Sequence, residues 1–389
     1  MNLEPNEDQQ LLFESVDAML ARHYAPGFRG EVVATELGWS AKAWENATDL
    51  GLTTLSVDED HDGAGAGAAE VFVTQNAIGK HAAVEPLLDG VFLPSWLIST
   101  LGTDDQQNDL LAPLVSGDQI YAVAHAEPKR AWDTPPAVAA SAGAEDRVLL
   151  NGVKSPVLRA DRAATLLVTA IDDQGDTGLY VVKGDAAGLT RVDGRTPDWA
   201  HASEVLFTDT PAVALGAAGT DAVRALDVAI AKARIALLGE AVGLMDSGLA
   251  QTVEYLKSRK QFGVPLSVFQ ALVHRSADLY AEIELARSTA LWATAMAEAF
   301  DSGDEQNLGS NADDAFVLVA DISRKVAEEI VQLHGGIGMT YETSVSHYAA
   351  RLTGIAQAFG GVEAARRRAL ASASPLTAPS ALRDNAIAV

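Results

Sequence analysis

The sequence predicts an α+β chain in which a helical region, a small β-rich region and a second helical region follow one another. Three observations carry this. Apolar residues recur at helical spacing up to about residue 118; short β-branched runs broken by Gly, Pro, Asn and Asp occupy about 119–218; helical periodicity returns over about 219–375. A tail over 376–389 is expected to be disordered.

In the first region Leu11, Leu12, Val16, Met19 and Leu20 recur at i, i+4, i+5 and i+8 spacings. Trp39, Trp44, Leu50 and Leu52 lie about a Ser40 that can cap a helix. Glycines at 63, 65 and 67 look like a phosphate cradle, but they follow an acidic run and no buried strand, and turn chemistry explains them more simply. In the middle region, runs such as 147–158, 164–170 and 178–183 have strand composition, with Asn151-Gly152 and Asp172-Asp173 as turn signals. A β unit of this size would leave sheet edges open, and helical bundles on either side can cover them, so the three regions are expected to form one composite unit. The third region opens with nearly forty residues of helical periodicity from Asp221, despite Gly239, Gly243 and Gly248.

Composition narrows the function. The chain has 389 residues, 48% hydrophobic and 21% charged, which is globular. Lys+Arg is 28 against Asp+Glu 53, a net charge of −25, which repels nucleic acid and anionic lipid. With no cysteine, thiolate metal sites, disulfides and cysteine nucleophiles are excluded. The eight histidines show no ligand spacing with carboxylates, so no metal is expected. The N-terminal residues lack the basic and apolar parts of a secretory signal, and no apolar run reaches the ~18–20 residues of a membrane span, so the expected location is the cytoplasm.

Two segments can carry chemistry. In the first, Tyr255 and Arg259 stand at i, i+4 on a helix expected to end near Gly263-Val264-Pro265, with Gln261, Phe262 and Gln270 following. An arginine fork at a helix end suits a bidentate phosphate, although satisfying the last helical carbonyls would explain it equally well. In the second, Gln332 and His334 precede Gly335, Gly336 and Gly338; a helix C-cap accounts for one glycine, and the others let backbone N–H groups approach a ligand.

Together these segments resemble the acyl-CoA dehydrogenase family. The resemblance implies an N-terminal helical domain, a central small β-barrel and a C-terminal four-helix bundle. It also implies FAD as cofactor and αβ-dehydrogenation of an acyl-CoA thioester, in which a carboxylate takes the α-proton while a hydride leaves for the flavin. The family's Arg-x-Gln-Phe-Gly and Gln-x-x-Gly-Gly stretches reach across a dimer interface to the FAD of a neighbouring subunit. Those roles fall on Arg259, Gln261, Phe262, Gln270, Gln332, Gly335 and Gly336.

The chain departs from the family where it should serve itself. Phe359 stands at the usual position of the catalytic Glu, and Ala233, before Arg234, at the second known position, so no catalytic base is assigned. The flavin-contacting Thr-Glu-Pro-x-x-Gly-Ser-Asp stretch becomes Ala126-Glu127-Pro128 through Trp132-Asp133, and the family's N5-bonding Thr becomes Leu158, followed by a bulky Arg159. The resemblance therefore extends to the base-lacking second subunits of α2β2 acyl-CoA dehydrogenases that act on steroid side-chain CoA esters, with a homologous catalytic subunit as partner and FAD shared across the interface. Two other readings stay open: a self-sufficient homomeric enzyme with a relocated base at Glu240, Glu254 or Glu342, and a non-enzymatic scaffold.

Overall fold

The computed structural model describes residues 5–24, 28–143 and 147–372. The expected tail over 376–389 lies outside them. Six helices come first: α1 (Glu7–His23), α2 (Phe28–Ala34), α3 (Ala41–Asp49), α4 (Ala68–His81), α5 (Leu93–Leu101) and α6 (Asp104–Val115). Ser40 caps α3 by accepting from the Ala43 N–H, as its position predicts. In α1 the stripe Val16, Met19 and Leu20 is buried, but Leu11 is 62% exposed and belongs to the opposite face. At the α4 N-terminus behind the glycine-rich turn, carboxylates of the chain itself take up amides, Gly67 N–H donating to Glu70 and Ala69 N–H to Glu298. Gly63 is required by packing: a Cβ there would lie 1.9 Å from the Val57 carbonyl oxygen.

Seven strands follow: β1 (Tyr121–Ala124), β2 (Ala139–Ala142), β3 (Val148–Leu158), β4 (Thr165–Ile171), β5 (Thr177–Lys183), β6 (Leu189–Arg195) and β7 (His201–Ala214). They run β4-β2-β3-β7-β5 and close through β5–β4 pairing, with β1 added on β4 and β6 on β7. This is a small barrel with its own core, including Leu150, Val157, Leu166, Val168 and Phe207. Asn151-Gly152, expected as a turn, instead lies inside β3. The strand stays paired to β7 through it, with a register shift at Leu150/Gly152, and Gly152 takes φ 140°.

The chain then forms α7 (Thr220–Ser258), a hairpin of β8 (Lys260–Gln261) and β9 (Val264–Pro265), and the helices α8 (Gln270–Asp301), α9 (Leu308–His334), α10 (Val345–Ile355) and α11 (Gly361–Ser372). α7 ends at Ser258, five residues before the expected stop, because the chain turns into the hairpin at Arg259. Helices α7 and α9 run in the same direction, since the contacts Arg234–Asp313, Met245–Ser323 and Tyr255–His334 advance together. Their C-terminal ends therefore share one end of the bundle. No helix among the described residues is long and apolar enough to cross a membrane.

Candidate functional site

The predicted residues separate into an internal cleft and an exposed bundle end. The cleft lies where the N-terminal helices, the barrel and the C-terminal helices meet, and its walls include Leu158, Arg159, Glu240 and Phe359. Arg159 follows β3 with φ 59° and reaches into the N-terminal helices. Its Nε donates to Asp89 at 3.0 Å, its Nη2 donates to the Val84 carbonyl at 2.9 Å, and its guanidinium lies 5.7 Å from the Trp39 ring. Asp89 is carried by a π-turn over Leu88–Phe92 ahead of α5.

Arg29 donates in turn to the carbonyls of Ala82 and Asp198 at 2.9 and 3.0 Å. From α10, Arg351 donates Nε and Nη2 to the two Glu240 oxygens at 2.5 and 2.8 Å, and Nη1 to Asp198 at 2.8 Å. Burial alone would lower the Arg351 pKa, but the Glu240 and Asp198 carboxylates outweigh it and hold the guanidinium well above its ordinary value. Burial pushes Arg29 down to about 10, still charged at neutral pH. The three arginines thus tie the three regions together, and the cavity left between them is about 60 Å³. A site for a drug-sized ligand needs roughly 300 Å³ or more. The cleft does not fit an isoalloxazine.

Phe359 sits in the turn between α10 and α11 with φ 51°. Its carbonyl accepts from Arg234, whose other end-nitrogen donates to Asp313. Its ring meets Trp132 edge-on at 6.4 Å, and a Cβ at Gly360 would lie 2.5 Å from Trp132. The aromatic pair thus closes over the turn in which the resemblance would place a catalytic base. Glu127, the surviving acid of the altered Glu-Pro stretch, accepts from the N–H groups of Ala137 and Val138 and from Lys154 at 2.8 Å, so it shapes the loop that holds Trp132. Burial lowers fully buried Lys154 to about 8 even though Glu127 favours its charge.

Beside this closure lies an open groove of about 650 Å³ whose walls include Trp132, Leu226, Ile230 and Asp227. Its arginines Arg234 and Arg368 are committed to Asp313, so an entering diphosphate would meet Asp227 and no free cation. Of the alternative bases, Glu240 is 3% exposed with both oxygens held by Arg351, Glu254 is exposed and paired to Lys257 at 2.7 Å, and Glu342 is exposed.

The bundle end is the opposite in character. Arg259 N–H caps α7 on the Tyr255 carbonyl at 2.8 Å, and Leu266 N–H closes the hairpin on the Arg259 carbonyl at 2.8 Å. Phe262 (φ 52°) and Gly263 (φ 81°) form its turn, two successive left-handed residues as a tight hairpin needs. Phe262 is 92% exposed. Arg259, Gln261, Gln270 and Gln332 are exposed, and their side chains make no hydrogen bond or ion pair among the described residues. Gly335 ends α9 with φ 67°, and a Cβ at Gly335 or Gly336 would meet nothing within 4 Å. A free guanidinium can hold a diphosphate, and the glycine turn leaves room for one to approach, although the Gly335 N–H itself is spent on the α9 C-cap, donating to the Gln332 and Val331 carbonyls. Arg29, Asp89, Asp198 and Arg351 were not among the predicted residues; nothing short-range in the sequence marks them, since their partners lie 53 to 169 residues away.

Comparison with known proteins gives a consistent result. A family model described as acyl-CoA dehydrogenase, N-terminal domain, matches residues 6–118, and one described as acyl-CoA dehydrogenase, C-terminal domain, matches 219–374. A variant of the steroid acyl-CoA dehydrogenase Tcur3481-Tcur3483 is 30% identical, with 94% of this chain and 97% of that one covered and a TM-score of 0.84. The ChsE4-ChsE5 complex from Mycobacterium tuberculosis contains a chain 25% identical, covering 96% and 100%, with a TM-score of 0.85. The probable acyl-CoA dehydrogenase YngJ of Bacillus subtilis is 26% identical over 89% of this chain and 92% of its own length.

Proposed function

Because this chain belongs to the acyl-CoA dehydrogenase family, whose members bind FAD, we propose that it is the base-lacking subunit of a heteromeric acyl-CoA dehydrogenase and completes the FAD site of a homologous catalytic partner. One contrast carries the reading. Phe359 and Ala233 stand at the family's base positions beside a cleft of about 60 Å³, whereas Arg259 and its neighbours stand exposed with uncommitted donors.

In the assembled enzyme Arg259 would hold the FAD pyrophosphate, the side-chain-free turn at Gly335 and Gly336 would let the cofactor come close to the backbone, and Gln261, Phe262, Gln270 and Gln332 would line the adenosine side. FAD supplies the hydride acceptor for αβ-dehydrogenation of the acyl-CoA thioester. The work of this chain is to bind and orient; proton abstraction falls to the partner's carboxylate. Likeness to a steroid acyl-CoA dehydrogenase and to a two-protein complex supports a steroid CoA thioester as substrate class and a homologous partner subunit; we place the assembly as α2β2 in the cytoplasm.

The test is flavin absorbance of the chain purified alone and co-purified with a homologous catalytic subunit. The expected result is colourless protein alone and a yellow complex carrying about one flavin per unlike pair, as one shared site predicts. A yellow homomer that reduces a dye with acyl-CoA would overturn the proposal in favour of a relocated base.

A further inference from the structure

The two exposed segments come from distant parts of the chain, yet a single stacked pair joins their roots. The Tyr255 ring lies 4.4 Å from the His334 ring at an interplanar angle of 21°. Tyr255 is one turn before Arg259 and its carbonyl caps the end of α7, while His334 is the last residue of α9, directly before Gly335. His334 is 6% exposed and its Nδ1 lies 2.8 Å from the Ile330 carbonyl, so its ring is locked to its own helix. Burial lowers its pKa, which keeps the imidazole neutral and stackable.

The surrounding packing has the same effect. About two turns back on α7 and one turn back on α9, a Cβ at Gly248 would lie 3.0 Å from Ile330, so the two helices are drawn close enough for the rings to meet. Beyond His334 the chain folds back on α9: a Cβ at Gly338 would lie 2.8 Å from the Val331 carbonyl and 2.9 Å from the His334 Cβ. Further on, Ser344 donates to Gln251, one turn before Tyr255 on α7. The 335–341 segment is therefore anchored at both sides to the end of α7 that launches the 259–266 hairpin.

We infer that Tyr255 and His334 are positioning residues: their stack sets the spacing between the Arg259 hairpin and the Gly335-Gly336 turn, so that the two segments act on one ligand as a preformed unit. This rests on the proposed function for the identity of the ligand, but the coupling itself belongs to this chain alone. Two segments held in register lose less conformational freedom on binding than two segments that must be ordered separately, so the stack raises affinity without touching the ligand. Substitution of either ring should consequently loosen both segments, including the one it does not belong to.

The test uses Tyr255→Ala, Tyr255→Phe and His334→Ala in the full chain, alone and in the co-purified complex. In the chain alone, hydrogen exchange should rise in both 259–266 and 335–341 for the two alanine variants and stay at the wild-type rate for Tyr255→Phe, which keeps the ring. In the complex, flavin should leave about three- to tenfold faster in the alanine variants, the range an aromatic pair supports, with the assembly intact by size-exclusion chromatography. Faster exchange in only the substituted segment would overturn the coupling. Joint loosening with unchanged flavin loss, in Arg259→Ala as well, would leave the coupling standing and overturn the FAD reading.

Discussion

Arginine does opposite work in the two regions. In the cleft, Arg29, Arg159 and Arg234 are at most 5% exposed, and with Arg351 they are spent on carboxylates and carbonyls of the same chain. At the bundle end Arg259 is exposed and makes no such contact among the described residues. A buried guanidinium must be paired because leaving it alone costs several kcal/mol, so the cleft arginines serve as internal fasteners. An exposed one loses nothing by waiting in water. The difference teaches that a buried arginine is fixed by its own chain, whereas an exposed one is left available to a partner or ligand.

Breaking the fastener side should give the largest effect. Arg351→Met removes the donors held by Glu240 and Asp198, each 3% exposed, and leaves two buried carboxylates without their main partner. Destabilisation of about 3–5 kcal/mol is expected, measured by urea unfolding of the chain. A loss under about 1 kcal/mol would mean that the cleft opens to water easily and is no fastener.

Breaking the waiting side should leave the fold alone. Arg259→Ala should not change unfolding of the isolated chain, because surface changes of this kind stay within about 0.5 kcal/mol. In the complex it should weaken flavin retention by about 1.5–3 kcal/mol, the worth of a hydrogen bond to a charged group, read from flavin released on dilution. Equal loss in stability and retention would erase the distinction between the two regions.

The sequence makes these regions legible to different degrees. The order of helices and strands and the Ser40 cap follow from local periodicity and local capping, which any segment displays on its own. Asn151-Gly152 shows the limit: its turn preference is local, but pairing of β3 with β7 on both sides keeps the strand running through it as a bulge. Likewise, Tyr255-x-x-x-Arg259 appears as one helix face, yet the hairpin bonds that end α7 at Ser258 are set by Leu266. The bundle-end residues are visible because they cluster in two short motifs. The cleft is visible only through Phe359 and Leu158, apolar where the resemblance implies a carboxylate and a hydroxyl. The ion pairs that close it, Arg159 on Asp89 and Arg351 on Glu240 and Asp198, span 70 to 153 residues and leave no local trace.

A finer measure of how far the interior is sealed is its response to acid. His125 and His347 are each lowered from 6.5 to about 4, chiefly by burial, with Lys154 adding to the effect at His125 and Arg29 at His347. In the unfolded chain these imidazoles take up protons near 6.5, whereas the native protein cannot accept them until about 4. Between those values the unfolded state binds more protons, so stability falls as pH drops through the window and is fully present above it. Each histidine contributes a slope of about 1.4 kcal/mol per pH unit there. Asp198 works in a lower range: burial alone would raise it, but Arg351 and its other partners bring it below its ordinary 3.8, so its share is lost only in stronger acid. His347 is 4% exposed and packs against the adjoining rings of Trp199 and Tyr341, at 5.2 and 5.4 Å. His347→Gln should therefore flatten the stability profile between about pH 6.5 and 4 by roughly that single-group slope, measured by urea unfolding at a series of pH values. An unchanged slope would mean that His347 takes up protons as freely in the native protein as in the unfolded chain, and that water reaches the junction which the ion pairs are held to close.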